Sequence, residues 1–228
     1  MSSLIAKNIS MSFANSQHSM NVLDDISLEL VEGQSIGIIG SSGCGKTTLL
    51  QILAGLETPV TGSIYYDNVN LSESNKVQFH KMRSSLFGFV YQFHYLLEDL
   101  TLLENCELSF QIMGSKSHAV NRQSIFTIFE ELGIFHLKDN YPFMLSGGER
   151  QRAAIARAVA HKPTFLLMDE PTGNLDSDNA GIIQELTINL SKKFNMGILV
   201  ATHDMDYANK LDEVYRIENG KLQKLDHE

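Results

Sequence analysis

The glycine-rich stretch Gly40-Ser41-Ser42-Gly43-Cys44-Gly45-Lys46-Thr47, entered directly from the apolar run 35–39, leaves this chain few architectures to choose from. Its spacing, G-x-x-x-x-G-K-[ST], lets successive backbone N–H groups wrap a polyphosphate. It also brings the Lys46 ammonium to the terminal phosphates and offers the Thr47 hydroxyl to Mg²⁺. Residues 46–55 read as the following helix, its positive end aimed at the same anion. A plain Gly-Ser turn would need neither a strand before it nor a helix after it. The pattern supplies both, so strand, loop and helix are expected in immediate succession.

The same alternation recurs. Short apolar runs at 87–91, 164–168 and 198–201 read as buried parallel strands, and stretches 149–161, closed by Pro163, and 179–194 read as helices. Strand and helix in turn give an α/β class. Residues 4–32 and 62–70 alternate apolar and polar positions between turn residues such as Asp24-Asp25 and Tyr66-Asp67-Asn68, which predicts a small antiparallel layer beside the main sheet. From about 100 to 141 the pattern becomes helical, with Ile125, Phe126, Ile128, Phe129 and Leu132 on one face, expected to form the core of an inserted helical lobe. The expected organisation is one domain, 1–228. Its nucleotide-binding core and antiparallel layer take 1–95 and 150–228, and the lobe takes 96–149.

Composition narrows the partners. A formal charge of −9 on 228 residues does not supply the basic stripe that a nucleic-acid groove needs. Cys44 and Cys106 lack C-x-x-C spacing, so neither a disulfide framework nor a zinc site is expected, and a reducing cytosol fits. The first residues carry no basic segment followed by an apolar core, and no apolar run approaches the ~20 residues of a membrane helix. Membrane association is expected only through a partner.

Two further motifs carry chemistry. Phe165-Leu166-Leu167-Met168-Asp169-Glu170 reads as a buried strand that delivers two adjacent carboxylates to the phosphate edge of the sheet. Asp169 is suited to holding Mg²⁺, and Glu170 to polarising an attacking water as general base. Leu145-Ser146-Gly147-Gly148-Glu149 opens an alanine-rich helix whose first amides and Ser146 hydroxyl can bind a phosphate.

Taken in order, the phosphate loop, Tyr91-Gln92, the Leu145 to Glu149 motif, Met168-Asp169-Glu170-Pro171, Gly173-Asn174-Leu175-Asp176 and Thr202-His203-Asp204 resemble the nucleotide-binding subunit of an ABC transporter over nearly the whole chain. The resemblance implies a RecA-like P-loop NTPase core, ATP and Mg²⁺ as cofactors, and a nucleotide held along Gly40 to Thr48. It implies that Phe13 stacks on adenine with Val22 beside it, that Gln92 senses metal and water, and that His203 contacts the γ-phosphate. Thr47, Gln92 and Asp169 would then serve the metal. It further implies a head-to-tail pair of copies, each ATP shared with Leu145, Ser146, Gly147, Gly148 and Glu149 of the other copy, and Asn174 and Asp176 linking the two sites.

Glu149, where many such ATPases carry glutamine, and the Gly173 to Asp176 loop resemble the branch of lipoprotein-release, macrolide-export and cell-division ATPases. Within it, Phe89-Val90-Tyr91-Gln92-Phe93-His94-Tyr95-Leu96-Leu97 is most similar to the lipoprotein-release members. That implies a peripheral place on the cytoplasmic face of an inner membrane, two related integral membrane subunits, no nucleic acid and no direct contact with cargo. Phe93, Tyr95, Leu96 and Leu97 either dock a helix of such a subunit or complete the local core. The ATPase of a macrolide, drug or peptide exporter, that of a cell-division complex, and a soluble ATPase of the same family stay open as alternatives.

Overall fold

In the computed structural model, residues 1–15, 18–71, 82–114 and 118–225 are described. Strands β1 (Ser3–Asn15) and β2 (His18–Val31) pair antiparallel, with β4 (Thr61–Tyr66) on the other side of β1 and β5 (Val69–Asn70) beyond it. Leu4 and Ala6 face inward at period two, but the next buried position is Ile9. A strand can step three residues and keep its face only by a bulge. The β1–β2 register slips there, with Asn8 at φ 51° and its amide donating to Asp25 Oδ1 at 2.8 Å.

The second sheet has the order β10-β9-β3-β8-β7-β6: Lys221–Leu225, Glu213–Glu218, Ser35–Ile39, Gly197–Ala201, Phe165–Asp169 and Phe87–Val90. All its pairings are parallel except the β9–β10 edge. Strands β3, β7 and β8 are buried at every position, as continuous apolar runs covered on both faces must be. Alternation divides them between two cores. Phe165, Leu167 and Leu199 join Leu49 and Leu50 of helix α1 (Lys46–Leu53) and the antiparallel layer, whereas Leu166, Met168, Ile198 and Val200 face the other helices.

Those helices are α2 (Leu102–Ile112), α3 (His118–Glu131), α4 (Gly147–Val159), α5 (Ser177–Phe194) and the short α6 (Met205–Ala208). The expected face of α3 is inward: Ile125, Ile128 and Phe129 are fully buried, as is Leu132 just after it, while half-buried Phe126 meets Phe135 edge to face. These residues do not form a separate core for the helical segment. They belong to one continuous cluster with Leu166 and Met168 of the sheet, because α4 lies across both and carries Ala153, Ile155 and Ala156 between them. Helices α4 and α5 begin two residues earlier than their apolar patterns predict, since Ser146 and Asp176 cap them by accepting from the amides three residues on.

Candidate functional site

Strand β3 ends at Ile39, and the loop from Gly40 turns the chain into α1. Gly43 and Gly45 sit at φ 77° and 109°, a region that side chains rarely enter, and a Cβ on Gly45 would come within 2.9 Å of Val22. Gly45 is also the N-cap of α1, without a side-chain cap, so the first amides of that helix are left for another acceptor. They face a cavity of about 580 Å³. Its walls include the loop from Gly40 to Gly43, Gly45 to Thr48, Phe13 and Val22 of the antiparallel layer, and Gln92, Asp169, Glu170 and His203.

The parallel sheet explains this convergence. Strands β3, β6, β7 and β8 run in register, so Gly40, Gln92, Asp169 and His203 all lie at their carboxyl ends. Lys46, 7 % exposed, donates to the Gly40 and Ser41 carbonyls at 2.8 and 3.3 Å and lies 3.6 Å from Glu170 Oε1. The Thr47 hydroxyl donates to Asp169 Oδ2 at 2.8 Å. Burial raises the Asp169 carboxyl above the usual range, with Glu170 adding like charge, while the Thr47 bond opposes the shift. Glu170 leaves the strand at φ 48°, its N–H donating to Ala201 O at 2.8 Å, and its Oε2 lies 2.9 Å from His203 Nδ1. A strained backbone at a residue whose carboxylate meets both Lys46 and His203 is the kind of outlier found at reacting centres.

Thr47 and Asp169 put two hard oxygen donors side by side, the type of set that holds Mg²⁺ together with substrate phosphates rather than in an all-protein cage. Among the described residues no cluster of three or more His, Cys, Asp or Glu side chains forms such a cage.

Some expected site residues lie elsewhere. Cys44 is not on the cavity wall: it is half-buried, and its Sγ would lie 2.6 Å from a Cβ placed on Gly40. Leu145 is core, and Ser146, Gly147, Gly148 and Glu149 all lie off the cavity. Ser146 and Glu149 instead close a capping box, the Ser146 hydroxyl donating to Glu149 Oε2 at 2.7 Å. The Ser146 N–H, and then that hydroxyl bond, hold the Glu149 carboxyl below the usual range. Asn174 and Asp176 are also off the cavity wall, but Asn174 reaches it indirectly: its Oδ1 accepts from Gln92 Nε2 at 3.3 Å, and its Nδ2 donates to the Gln92 main-chain carbonyl at 3.2 Å. Asp176 caps α5, and its Oδ2 accepts from the Asn179 amide at 2.8 Å.

The segment after Gln92 divides the two roles left open for it. Leu96 is buried in the core, whereas Phe93, Tyr95 and Leu97 are at least half exposed. Tyr95 and Leu97 border a groove of about 380 Å³ that also includes Phe89, Leu108, Ile112 and His161. Sequence reasoning missed Arg157 of α4, whose guanidinium donates to the His94 carbonyl at 2.8 Å and to that of Tyr95, pinning this segment to the helix that Ser146 starts. No local pattern marks it, because the carbonyls it meets lie 62 and 63 residues earlier in the chain. Burial and the two arginines depress the His94 pKa.

Residues 23–173 match the family described as "ABC transporter". The chain is 42 % identical over 217 residues to the "Lipoprotein-releasing system ATP-binding protein LolD" of Saccharophagus degradans, 95 % of each chain being covered. It is 38 % identical to the protein of that name from Bdellovibrio bacteriovorus, covering 96 % of this chain and 99 % of the other. Among solved structures it is similar to "Dimeric Structure of MJ0796, a Bacterial ABC Transporter Cassette", with TM-score 0.88 and 31 % identity over 98 % of this chain and 99 % of that one. It is also similar to a post-hydrolysis dimer of the same cassette bound to ADP and Pi, with TM-score 0.87 and 30 % identity over the same shares. With a phosphate loop, two carboxylates and a histidine gathered at one sheet edge in this fold, the chain belongs to the ABC transporter family, as an ATP-binding cassette.

Proposed function

We propose that this chain is the ATP-hydrolysing subunit of an inner-membrane complex that releases outer-membrane-directed lipoproteins to a periplasmic carrier. The chemistry rests on one observation: the Glu170 carboxylate stands between Lys46 and His203 beside the phosphate loop. The cargo class rests on the near full-length similarity to proteins named for lipoprotein release. In this reading residues 1–95 and 150–228 bind nucleotide and 96–149 form the helical lobe of a single domain.

Phe13 and Val22 receive the adenine, and the loop amides from Gly40 to Thr48 receive the phosphates, Cys44 through its backbone. Lys46 leaves the Gly40 and Ser41 carbonyls for the terminal phosphate, whose charge it neutralises. Glu170 takes the proton of the attacking water, and His203 positions the γ-phosphate. Thr47 and Asp169, with Gln92, would hold Mg²⁺, which supplies charge neutralisation at the phosphates. Leu145 to Glu149 of a second copy complete the site, and Asn174 and Asp176 lie at the junction. The exposed Phe93, Tyr95 and Leu97 and the adjoining groove receive a cytoplasmic helix of one of two related integral membrane subunits, of the LolC/LolE type, from the cytoplasmic face. Among the described residues no helix is long and apolar enough to cross a membrane. ATP drives motion because it binds the paired state better than the open one.

The test is Glu170→Gln. It is expected to bind ATP as the parent does, to lose hydrolysis by at least about a hundredfold, and to accumulate as a dimer that can be captured from solubilised membranes. Capture with two related membrane proteins and acylated lipoproteins supports the proposal. Undiminished hydrolysis sinks the general-base role, and capture with a membrane protein but no lipoprotein sinks the cargo.

A further inference from the structure

His203 has an exposed ring, and its Nδ1 meets the Glu170 carboxylate at 2.9 Å. Its position therefore depends on the backbone that carries it. On one side Thr202 is fully buried and its N–H donates to Ile38 O at 3.0 Å. On the other, Asp204 caps α6: its Oδ1 accepts from the Asp206 and Tyr207 amides at 2.9 and 3.1 Å, and its own N–H donates to Thr202 Oγ1 at 3.0 Å. The remaining oxygen, Asp204 Oδ2, accepts from Gln184 Nε2 at 2.8 Å.

Gln184 is 4 % exposed and lies on α5, about two turns beyond its Asp176 cap. Its orientation is fixed by chemistry. Lys210 Nζ, which can only donate, lies 2.7 Å from Oε1, so the amide nitrogen must face the carboxylate. One turn further on, Thr187 Oγ1 donates to the Ile183 and Gln184 carbonyls at 2.9 Å, which leaves the buried Tyr207 hydroxyl, 2.6 Å away, as donor to it. Helix α5 thus holds α6 through two polar contacts, and the one at Asp204 is adjacent in sequence to His203.

We propose that Gln184 is a positioning residue for His203: its buried amide locks Asp204, and Asp204 sets the backbone from which His203 reaches Glu170 and the phosphate. The inference rests on the reading of His203 given above. Because α5 starts at the Asp176 loop, the same amide ties that loop to His203 through one rigid helix.

The experiment is a double-mutant cycle on the full chain, reading kcat and KM for ATP hydrolysis. Gln184→Leu is expected to lower kcat by roughly ten- to hundredfold, the effect of losing a hydrogen bond to a charged group. KM for ATP should stay within about twofold, since the phosphate loop is untouched. In a His203→Ala background, Gln184→Leu should cost nothing further. Gln184→Glu, which keeps the shape and the Lys210 contact but loses the donor to Asp204, should behave in the same way and serves if the leucine variant does not fold. Losses that multiply in the double variant overturn the proposal, as does a loss appearing in KM alone. An unchanged rate in His203→Ala by itself overturns the histidine assignment, and this inference with it.

Discussion

Helix α2 starts at Thr101-Leu102-Leu103-Glu104 and helix α4 at Ser146-Gly147-Gly148-Glu149, and their caps match bond for bond. The Thr101 N–H and hydroxyl donate to Glu104 Oε2 at 2.8 and 2.9 Å, and those of Ser146 to Glu149 Oε2 at 2.8 and 2.7 Å. The return bonds, from the glutamate N–H to the hydroxyl, are 3.3 and 3.4 Å. What differs is the pair between. Leu102 is buried at 1 % exposure and Leu103 packs on the same core, so α2 is anchored by its first turn. Among the described residues a Cβ on Gly147 would meet only Leu175, at 3.7 Å, and Gly148 is pressed against Asn179. Capping alone therefore does not separate a scaffold helix from the one proposed to offer its amides to an anion. The difference is that Gly147 and Gly148 bring no side chain of their own to the first turn.

The comparison is broken most severely at Ser146. Ser146→Arg should lower hydrolysis by at least about a hundredfold, the scale of a lost donor to a reacting phosphate, while leaving the melting temperature within a few degrees. Normal cooperative hydrolysis by this variant would reduce α4 to a second scaffold helix. Gly148→Ala should act more mildly. Its Cβ would lie 2.8 Å from Asn179 Oδ1, the amide that holds Asp176. About 1–2 kcal/mol of stability is expected to be lost, and turnover should fall several-fold as the Asp176 loop shifts; equal turnover would mean that the loop does not matter to the site.

Thr101→Ala is expected to have the smallest effect, with hydrolysis unchanged and a melting temperature about 2–4 °C lower. The Thr101 N–H and hydroxyl hold the Glu104 carboxyl below its ordinary value. A depressed carboxyl contributes stability above the unfolded-state value and loses it as pH falls through the folded one. The melting difference between Thr101→Ala and the parent should then shrink below about pH 4. A constant difference would assign the cap to the hydroxyl alone.

Features legible in the sequence were those written in consecutive residues. Gly40 to Thr47 specifies a strand, loop and helix within one motif, and Asp169-Glu170 follows a run that could only be buried, so both appear where expected. The β-layer was legible from alternation, but not its bulge, because Asn8 and Asp25 pair across a sheet. The roles of Phe93 to Leu97 could not be divided in advance: four apolar neighbours look alike until the core takes Leu96 and leaves Phe93, Tyr95 and Leu97 outside. Arg157 with His94, Gln184 with Asp204 and Glu170 with His203 are pairs fixed by tertiary geometry, and no local pattern encodes them. The helical segment seemed to need its own core only because its apolar face was read without the sheet that completes it.

The cavity wall includes Lys46, Glu170 and His203 but not Ser146. If a second copy supplies that missing wall, the rate law changes. Hydrolysis by dispersed copies becomes second order in protein, so a tenfold dilution of a weakly pairing chain lowers turnover per molecule by about tenfold through mass action. Two copies held on one membrane scaffold meet at an effective concentration near about a millimolar. Idle copies would then spare the cell's ATP without any inhibitor, and consumption would rise with the number of assembled complexes rather than with the amount of chain synthesised.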